Sequence, residues 1–388
     1  AASDVYKRQV FYAPVDLTDP MLLAQDGLPP SDGNPQFHQQ MVFAVVMRTI
    51  RTFERALGRV VLWQRELPAS ARGQGKPSRE YVRRLRIYPH AMREENAYYS
   101  PSKAALLFGY FRGRAARDGT GDGNWVFTAL SQDIIAHEAT HAILHGMFPR
   151  SIEASNPDSL AFHEAFADIV ALFQHFGVPH VVEHEMATSG GSMRSVKLLG
   201  GLAQQFGTAT GREGPLRLAL DMVLKEEEAV AKGETLAPDR NAGIREPHRR
   251  GQILVAAVYD AFVTIFDRRT ADLLRIAGRK RGEAWNMPSD LVKRLAIEAA
   301  KAAEHVLRMC IRGLDYLPPV DITFGEYLRA IVTADADLVP DDPLHYRTAF
   351  AEAFRKRGVV VQGNSFTTTD SLIWDSHASR DGDGGRLD

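Results

Sequence analysis

The sequence predicts an α+β fold, in which a mixed N-terminal part leads into a mainly helical C-terminal part. Three observations predict it. Short β-like runs separated by turn-rich segments lie before Trp125, apolar residues recur at helical spacing after it, and 388 residues allow a core large enough for a sequestered site. The N-terminal part is predicted over residues 10–130 and the helical part over residues 131–366.

In the N-terminal part, residues 39–57 have the apolar periodicity of a helix. Three β-like runs follow: V-R-R-L-R-I-Y at 82–88, A-Y-Y at 97–99 and A-L-L-F-G-Y-F at 105–111. These runs predict a sheet in this part of the chain.

Two helices are predicted at the start of the helical part. The first covers about residues 131–145 and is ended by Gly146, and the second covers residues 157–176 behind an Asn156 cap. Pro179 is a stop signal after the second helix. Further helices are predicted near 194–206, 214–230, 248–267, 289–313, 324–334 and 344–357.

The composition excludes several classes of protein. A formal net charge of −1 provides no attraction for nucleic acid or an anionic membrane, and no apolar run is long enough to span a bilayer. The single cysteine, Cys310, excludes a disulfide framework and a cysteine-rich metal site, and its apolar neighbours indicate a core position. No nucleic-acid or membrane partner is therefore expected, and the oligomeric state is not indicated.

Both ends of the sequence are predicted to lie outside the fold. Residues 1–9 contain D-V-Y-K-R-Q, which resembles the in-frame translation of a transposon end used in sequencing libraries, and are interpreted as a scar. The natural N-terminus would then be missing, so a cytoplasmic and a secreted protein are not distinguished. Residues 367–388 have little apolar surface to bury and are predicted to be disordered.

The segment D-I-I-A-H-E-A-T-H-A-I-L-H-G, residues 133–146, places three histidines and a glutamate in an otherwise apolar helix. His137 and His141 are four residues apart, so their imidazoles share a helix face and can converge on one ion. Glu138 is rotated from His137 by roughly a quarter-turn, which lets it reach a metal-bound water without being a ligand. This is the His-Glu-x-x-His arrangement of zinc hydrolases. The alternative is a helix whose histidines are satisfied by their neighbours.

A catalytic zinc ion needs a third protein ligand and one open position. His145 lies one turn further along the same helix, but three ligands on one straight helix cannot converge on one ion. The next helix contains F-H-E-A-F-A-D at 162–168, in which Glu164 is predicted as the third ligand. Asp168, on the same face, is predicted to accept the N–H of a ligand histidine. The alternative, in which both carboxylates face solvent, leaves their apolar neighbours without a buried side.

The two motifs, H-E-A-T-H and H-E-A-F-A-D, resemble those of the thermolysin-like zinc metallopeptidases, a gluzincin family. The likeness covers residues 96–176 and extends less closely to about residue 265. It implies a zincin-like fold, with an antiparallel edge strand in the sheet and the active-site helix at the junction of the two parts. It also implies peptide-bond hydrolysis by a zinc metalloendopeptidase, with a peptide or protein as substrate.

The resemblance implies a role for each matching residue. It implies that one zinc ion is bound by His137, His141 and Glu164. Glu138 is then the general base, and Asp168 is the hydrogen-bond partner of His137.

Two further segments resemble parts of the family. N-A-Y-Y, which begins at Asn96, is similar to the edge strand in which an Asn side chain and the next residue's backbone, here Ala97, hold an extended peptide. The alternative is an ordinary half-buried strand. E-P-H-R-R-G, which begins at Glu246, starts another helix, and His248 matches the family's oxyanion-stabilising histidine in type. Glu246 is a candidate to orient it, and the alternative is a surface histidine at a helix end.

The chain also departs from the family. Ser155 stands where the family usually has a tyrosine that assists the same oxyanion. Asp133 matches a calcium ligand, but His175 replaces the companion carboxylate, which weakens the case for calcium there; Asp133 also suits a helix N-terminus.

Two other functions stay open. A gluzincin aminopeptidase would add a Gly-x-Met-Glu-Asn motif, which is absent, and a non-catalytic zinc-binding protein would retain the fold.

Overall fold

The computed structural model describes residues 13–67, 78–113, 124–148, 156–195, 243–278, 287–359 and 368–374, with residue 361 and a few residues between 222 and 241. Within these residues the fold is mixed α+β, because the strands precede residue 128 and helices follow it. Several predictions lie outside the described residues: those for residues 1–9, for Ser155, for nearly all of the helix at 194–206, for much of the helix at 214–230 and for most of the tail.

The described strands form two sheets. One is an antiparallel pair, β1 (Trp63–Leu67) and β2 (Ser78–Val82). The other contains β3 (Arg86–Met92), β4 (Ala97–Ser100), β5 (Ala105–Arg112) and β6 (Trp125–Phe127). Here β5 pairs in parallel with β3 and antiparallel with β4 and β6, which makes β4 an antiparallel edge strand.

The single strand predicted at 82–88 is wrong. These residues contain the last residue of β2, a turn and the first part of β3. The two strands belong to different sheets, since β2 pairs with β1 whereas β3 pairs with β5. Alternation of polar and apolar residues breaks at the consecutive Arg83 and Arg84, which lie in the turn, and this break was the available signal of the division.

Nine α-helices have bounds within the described residues. They are α1 (Pro20–Ala24), α2 (Pro35–Leu57), α3 (Gln132–Met147), α4 (Pro157–His175), α5 (Pro179–Thr188), α6 (Pro247–Ile276), α7 (Ser289–Gly313), α8 (Phe324–Ala336) and α9 (Tyr346–Lys356). The helix α5 was not predicted, because Pro179 was interpreted as a stop signal. Proline is equally suited to the first helical position, where its missing N–H has no intrahelical partner, and Pro179 occupies that position.

The helix α4 forms the centre of the largest apolar core. Of its 19 residues, 14 are buried, and it packs against α3 on one side and α6 on another. Phe162 and Phe166 on α4 lie in this core with Tyr327 from α8. Cys310 is buried in the same core, as predicted from its apolar neighbours. The side chains that α4 presents to α3 are therefore held on a rigid support.

Gly146 has a different role from the one predicted. The helix α3 continues to Met147, so Gly146 lies inside its last turn and does not end it. A Cβ atom at this position would lie 1.8 Å from the carbonyl oxygen of Leu62, just before β1. Only a glycine permits this close approach, which brings β1 against the end of α3.

Within the described residues, no single helix is both long and apolar enough to cross a membrane. The helices α4 and α5 satisfy the length and composition criteria only as a pair, and the chain bends by 85° between them. The apolar character of α4 has a different explanation in this fold, because it is surrounded by other helices.

A buried arginine connects α6 with the end of α9. Arg357 is 1% exposed, and its guanidinium donates to the Asp260 carboxylate at 2.9 Å and lies 2.9 Å from the Glu226 carboxylate. Burial raises the pKa of Asp260, but Arg357 and Lys356 lower it more strongly, so the net direction is downward. The Asp260 carboxylate is therefore ionised and dependent on its cationic partners.

We expect Arg357→Ala to lower the free energy of unfolding by about 3–5 kcal/mol, because it leaves the carboxylates of Asp260 and Glu226 buried without this partner. Chemical denaturation followed by circular dichroism measures the change. Arg355→Ala, at an exposed position of the same segment, is the matched control and should change the free energy by less than about 0.5 kcal/mol. Equal effects of the two substitutions would contradict this account.

Candidate metal centre

Three potential metal ligands converge where α3 meets α4. His137 and His141 lie one turn apart on α3, and Glu164 lies on α4. The Nε2 atoms of the two histidines are 2.9 Å apart. The Glu164 carboxylate oxygens lie 3.4 Å from His137 Nε2 and 3.7 Å from His141 Nε2. The structure therefore brings the three predicted ligands to one point.

The spacing of these donor atoms suits a tetrahedral ion. With metal–ligand distances of about 2.0–2.1 Å, neighbouring ligand atoms in a tetrahedral zinc site are roughly 3.3 Å apart. The observed separations of 2.9, 3.4 and 3.7 Å, of which the last two are to different oxygens of Glu164, lie on both sides of that value. The side chains of His137, His141 and Glu164 are 21%, 16% and 30% exposed, so the group is partly accessible to solvent. A three-ligand site with one open direction is typical of catalytic zinc.

Asp168 fixes the orientation of one imidazole. It lies one turn after Glu164 on α4, and its carboxylate accepts a hydrogen bond from His137 Nδ1 at 2.9 Å. Because Nδ1 carries the hydrogen, the Nε2 lone pair of His137 is directed at the shared point. The structure thus places Asp168 against His137, the contact that the family resemblance implies.

His163 contacts the imidazole of His141 and fixes its orientation. Its Nδ1 lies 3.1 Å from His141 Nδ1, and the two rings are stacked with centroids 5.3 Å apart. Burial, reinforced by His141, lowers the pKa of His163 to about 3, so its ring is neutral and can accept the N–H of His141. His163 was not predicted from the sequence. The one available signal was its position immediately before Glu164 in the second motif.

The electrostatics of the three groups favour a cation between them. Burial alone would lower the pKa of His137, but its contacts with Asp168 and Glu164 outweigh burial and raise the pKa well above its ordinary value. Burial would raise the pKa of Glu164, but the two histidines outweigh it and lower this pKa far below its ordinary range. The site therefore attracts a positive charge, and a divalent metal ion can supply it in place of a proton.

Glu138 lies beside this group and is fixed by the edge strand. Its Oε2 accepts a hydrogen bond from the backbone N–H of Tyr99 in β4 at 2.8 Å. Burial raises the pKa of Glu138, while His137 and His141 act against this, and the net direction is upward. A carboxylate with a raised pKa is suited to accept and release a proton near neutral pH. The contact with Tyr99 was not predicted, because it joins segments that are distant in sequence.

The strand segment predicted to bind substrate lies next to the same group. Tyr99 directs its N–H towards Glu138 and away from β5, and Asn96 directs its carbonyl towards Gly109 of β5. Successive residues of a strand direct their backbone N–H and C=O groups to opposite sides. The carbonyl of Ala97, which follows Asn96, therefore faces away from β5. The Asn96 side chain accepts from the Ala97 N–H at 2.9 Å. Both predicted residues therefore lie at the outer edge of the sheet.

His248 lies in the first turn of α6, close to the group of His137, His141 and Glu164, here called the triad. Its Nδ1 is 3.8 Å from a Glu164 carboxylate oxygen, and its side chain is 58% exposed. Glu246 does not orient this imidazole. Its carboxylate instead accepts hydrogen bonds from the backbone N–H groups of His248 and Arg249 and caps the helix. His248 is thus near the candidate ligand Glu164 while its side chain stays accessible.

The other residues singled out in the sequence lie away from the shared point. Asp133 contacts the imidazole of His175, so the neighbouring helix offers a histidine nitrogen where calcium would require oxygen. His145 does not join the triad: its Nδ1 lies 2.9 Å from the Tyr99 hydroxyl and its Nε2 lies 3.3 Å from the Glu66 carboxylate. Ser155 lies outside the described residues.

Comparison with known proteins provides no relative for this chain. No protein-family model, curated protein or solved structure matches it. Any functional assignment therefore depends on the two sequence motifs and on the geometry of the side chains around them.

We expect Asp168→Ala to weaken zinc binding by about 10–100-fold, because His137 loses the partner that fixes its tautomer and orientation. Competition titration against a chromophoric chelator measures the affinity. Asp290→Ala, on the exposed start of α7, is the matched control and should bind zinc like the unmodified chain. Unchanged affinity in Asp168→Ala would show that Asp168 does not support the site.

Proposed function

We propose that the chain is a zinc-dependent metallopeptidase with a zincin-like fold, which hydrolyses internal peptide bonds. One observation carries the proposal: Glu138 is held between the triad of His137, His141 and Glu164 and the backbone of an edge strand. This arrangement combines a candidate zinc site, a base and a surface for an extended peptide. The two motifs that resemble thermolysin-like metallopeptidases support the same function.

The residues of the triad would hold the zinc ion, and Asp168 and His163 would hold the two imidazoles. When bound, zinc lowers the pKa of a coordinated water to about 7 and polarises a carbonyl group. Glu138 accepts a proton from the attacking water and then delivers it to the leaving amine. Its raised pKa and its fixed position beside the edge strand suit both steps.

The developing oxyanion and the peptide backbone each have a candidate partner. His248 can donate a ring N–H to the oxyanion, and its position 3.8 Å from Glu164 places it within reach of a substrate at the triad. A substrate in extended form can pair with the outer edge of β4, where the Ala97 carbonyl is directed. The Asn96 side chain lies at the start of this edge and can contact the same peptide.

We expect Glu138→Gln to reduce kcat for an internally cleaved peptide by at least about 100-fold, because the amide cannot accept the proton. Hydrolysis of a fluorogenic peptide and the zinc content by atomic emission are measured on the same sample. Zinc should remain near one ion per chain. Glu304→Gln, at an exposed position on α7, is the control and should retain full activity. Full activity of Glu138→Gln with zinc bound would refute the assignment of the base.

A comparison of peptides separates the proposed function from its alternatives. An endopeptidase cleaves N-terminally blocked and free peptides alike, whereas an aminopeptidase requires the free amine. If the zinc-bound chain hydrolysed no member of a broad peptide library, a non-catalytic zinc-binding function would be favoured.

We expect His248→Ala to lower kcat by about 100-fold, because one oxyanion donor is lost. The KM value and the zinc content should change little, since His248 is not a ligand in this proposal. His184→Ala, at an exposed position on α5, is the control. A loss of zinc in His248→Ala would mean that the imidazole supports metal binding instead.

A further inference from the structure

A hydrogen-bonded chain of three side chains leads from β1 to the edge strand that holds Glu138. The Glu66 carboxylate on β1 lies 3.3 Å from His145 Nε2, and His145 Nδ1 lies 2.9 Å from the Tyr99 hydroxyl. The hydroxyl also lies 3.2 Å from the Gln64 carbonyl oxygen. His145 is 1% exposed, so the central member of the chain is shielded from water. Neither of the two sequence motifs predicts any role for these side chains.

The direction of the hydrogen bonds follows from the chemistry of the three groups. An ionised carboxylate only accepts, so His145 Nε2 carries the hydrogen and donates it to Glu66. Burial lowers the pKa of His145, although Glu66 acts against it, and a neutral ring leaves Nδ1 as an acceptor. The single hydrogen of the Tyr99 hydroxyl then has two acceptors within reach, His145 Nδ1 at 2.9 Å and the Gln64 carbonyl oxygen at 3.2 Å. Each buried polar atom of His145 thus has a suitable partner.

Tyr99 connects this chain to Glu138 through its backbone. Its hydroxyl is anchored by His145, and its N–H donates to Glu138 Oε2 at 2.8 Å. The strand β4 is only four residues long and, within the described part of the chain, pairs on one side alone, with β5. Such a strand has few backbone hydrogen bonds of its own to fix its distance from α3.

We infer that Glu66, His145 and Tyr99 are positioning residues, which hold the edge strand against α3 so that the Tyr99 N–H fixes Glu138 for proton transfer. The inference rests on the proposed peptidase function and deepens it. A displacement of about 1 Å in a reacting group can cost about 100-fold in rate, so an anchor outside the reacting groups has a measurable effect. Gly146, which permits the close approach of β1 to α3, makes this chain of contacts possible.

The experiment compares variants of the zinc-bound, full-length chain. Tyr99→Phe removes only the hydroxyl, and His145→Leu removes both ring nitrogens. His145→Gln is the conservative variant, because its amide offers one donor and one acceptor as the neutral imidazole does. Tyr81→Phe, which removes a hydroxyl at a position of β2 that is 67% exposed, is the matched control. For each variant we would measure kcat, KM, zinc content and amide hydrogen exchange in residues 97–100.

We expect Tyr99→Phe and His145→Leu each to lower kcat by about 10–100-fold, with KM changed less than about threefold and zinc retained. Amide exchange in residues 97–100 should become faster in both variants. The double variant should be no worse than the poorer single one, because the two side chains act through one chain of contacts. His145→Gln should recover most of the lost activity, and Tyr81→Phe should match the unmodified chain.

Two outcomes would overturn the inference while the proposed function stands. In the first, the unmodified chain is active and Tyr99→Phe and His145→Leu retain its kcat. In the second, kcat falls but amide exchange in residues 97–100 is unchanged, which would place the cause elsewhere. An inactive unmodified chain with zinc bound would instead refute the peptidase function and the inference together.

Discussion

Two imidazole nitrogens 2.9 Å apart and the Glu164 carboxylate, whose two oxygens lie 3.4 and 3.7 Å from them, face a common point between α3 and α4. Lone pairs held this close repel one another unless a cation lies among them. The raised pKa of His137 and the lowered pKa of Glu164 both result from this need for a positive charge. The contacts of Asp168 and His163 prevent the imidazoles from turning away. The surrounding structure keeps this electrostatically costly arrangement in place.

The elements around this point each add a different capability. The edge strand β4 contributes the backbone N–H that contacts Glu138, and within the described residues it pairs on one side alone, with β5. The first turn of α6 contributes His248, an accessible imidazole beside Glu164. The strand β1 contributes an anchor through His145. A carboxylate with a raised pKa, an accessible imidazole and an edge strand therefore lie near the triad, although they come from segments far apart in sequence.

The parts of the site that repeat at helical spacing could be predicted from the sequence. His137 and His141 share one face of a helix, and Glu164 and Asp168 share one face of the next helix. The two pairs can therefore meet only where these helix faces pack together. The hydrogen bonds of Tyr99 and His145 could not be predicted, because they depend on how β1 and β4, from two different sheets, pack on α3. Similarly, no local pattern distinguishes a proline that ends one helix from one that starts the next, as Pro179 does.

The near-complete burial of α4 has a consequence for how the chain responds to its surroundings. A helix with 14 of 19 residues inside an apolar core does not need an ion to stay folded, unlike small domains whose folding depends on metal. In the proposed zinc enzyme, loss of the ion would therefore stop catalysis while α4 keeps its place in the core. Under the same proposal, returning zinc would restore activity without refolding, and an ion with a visible spectrum could be substituted to observe the centre directly.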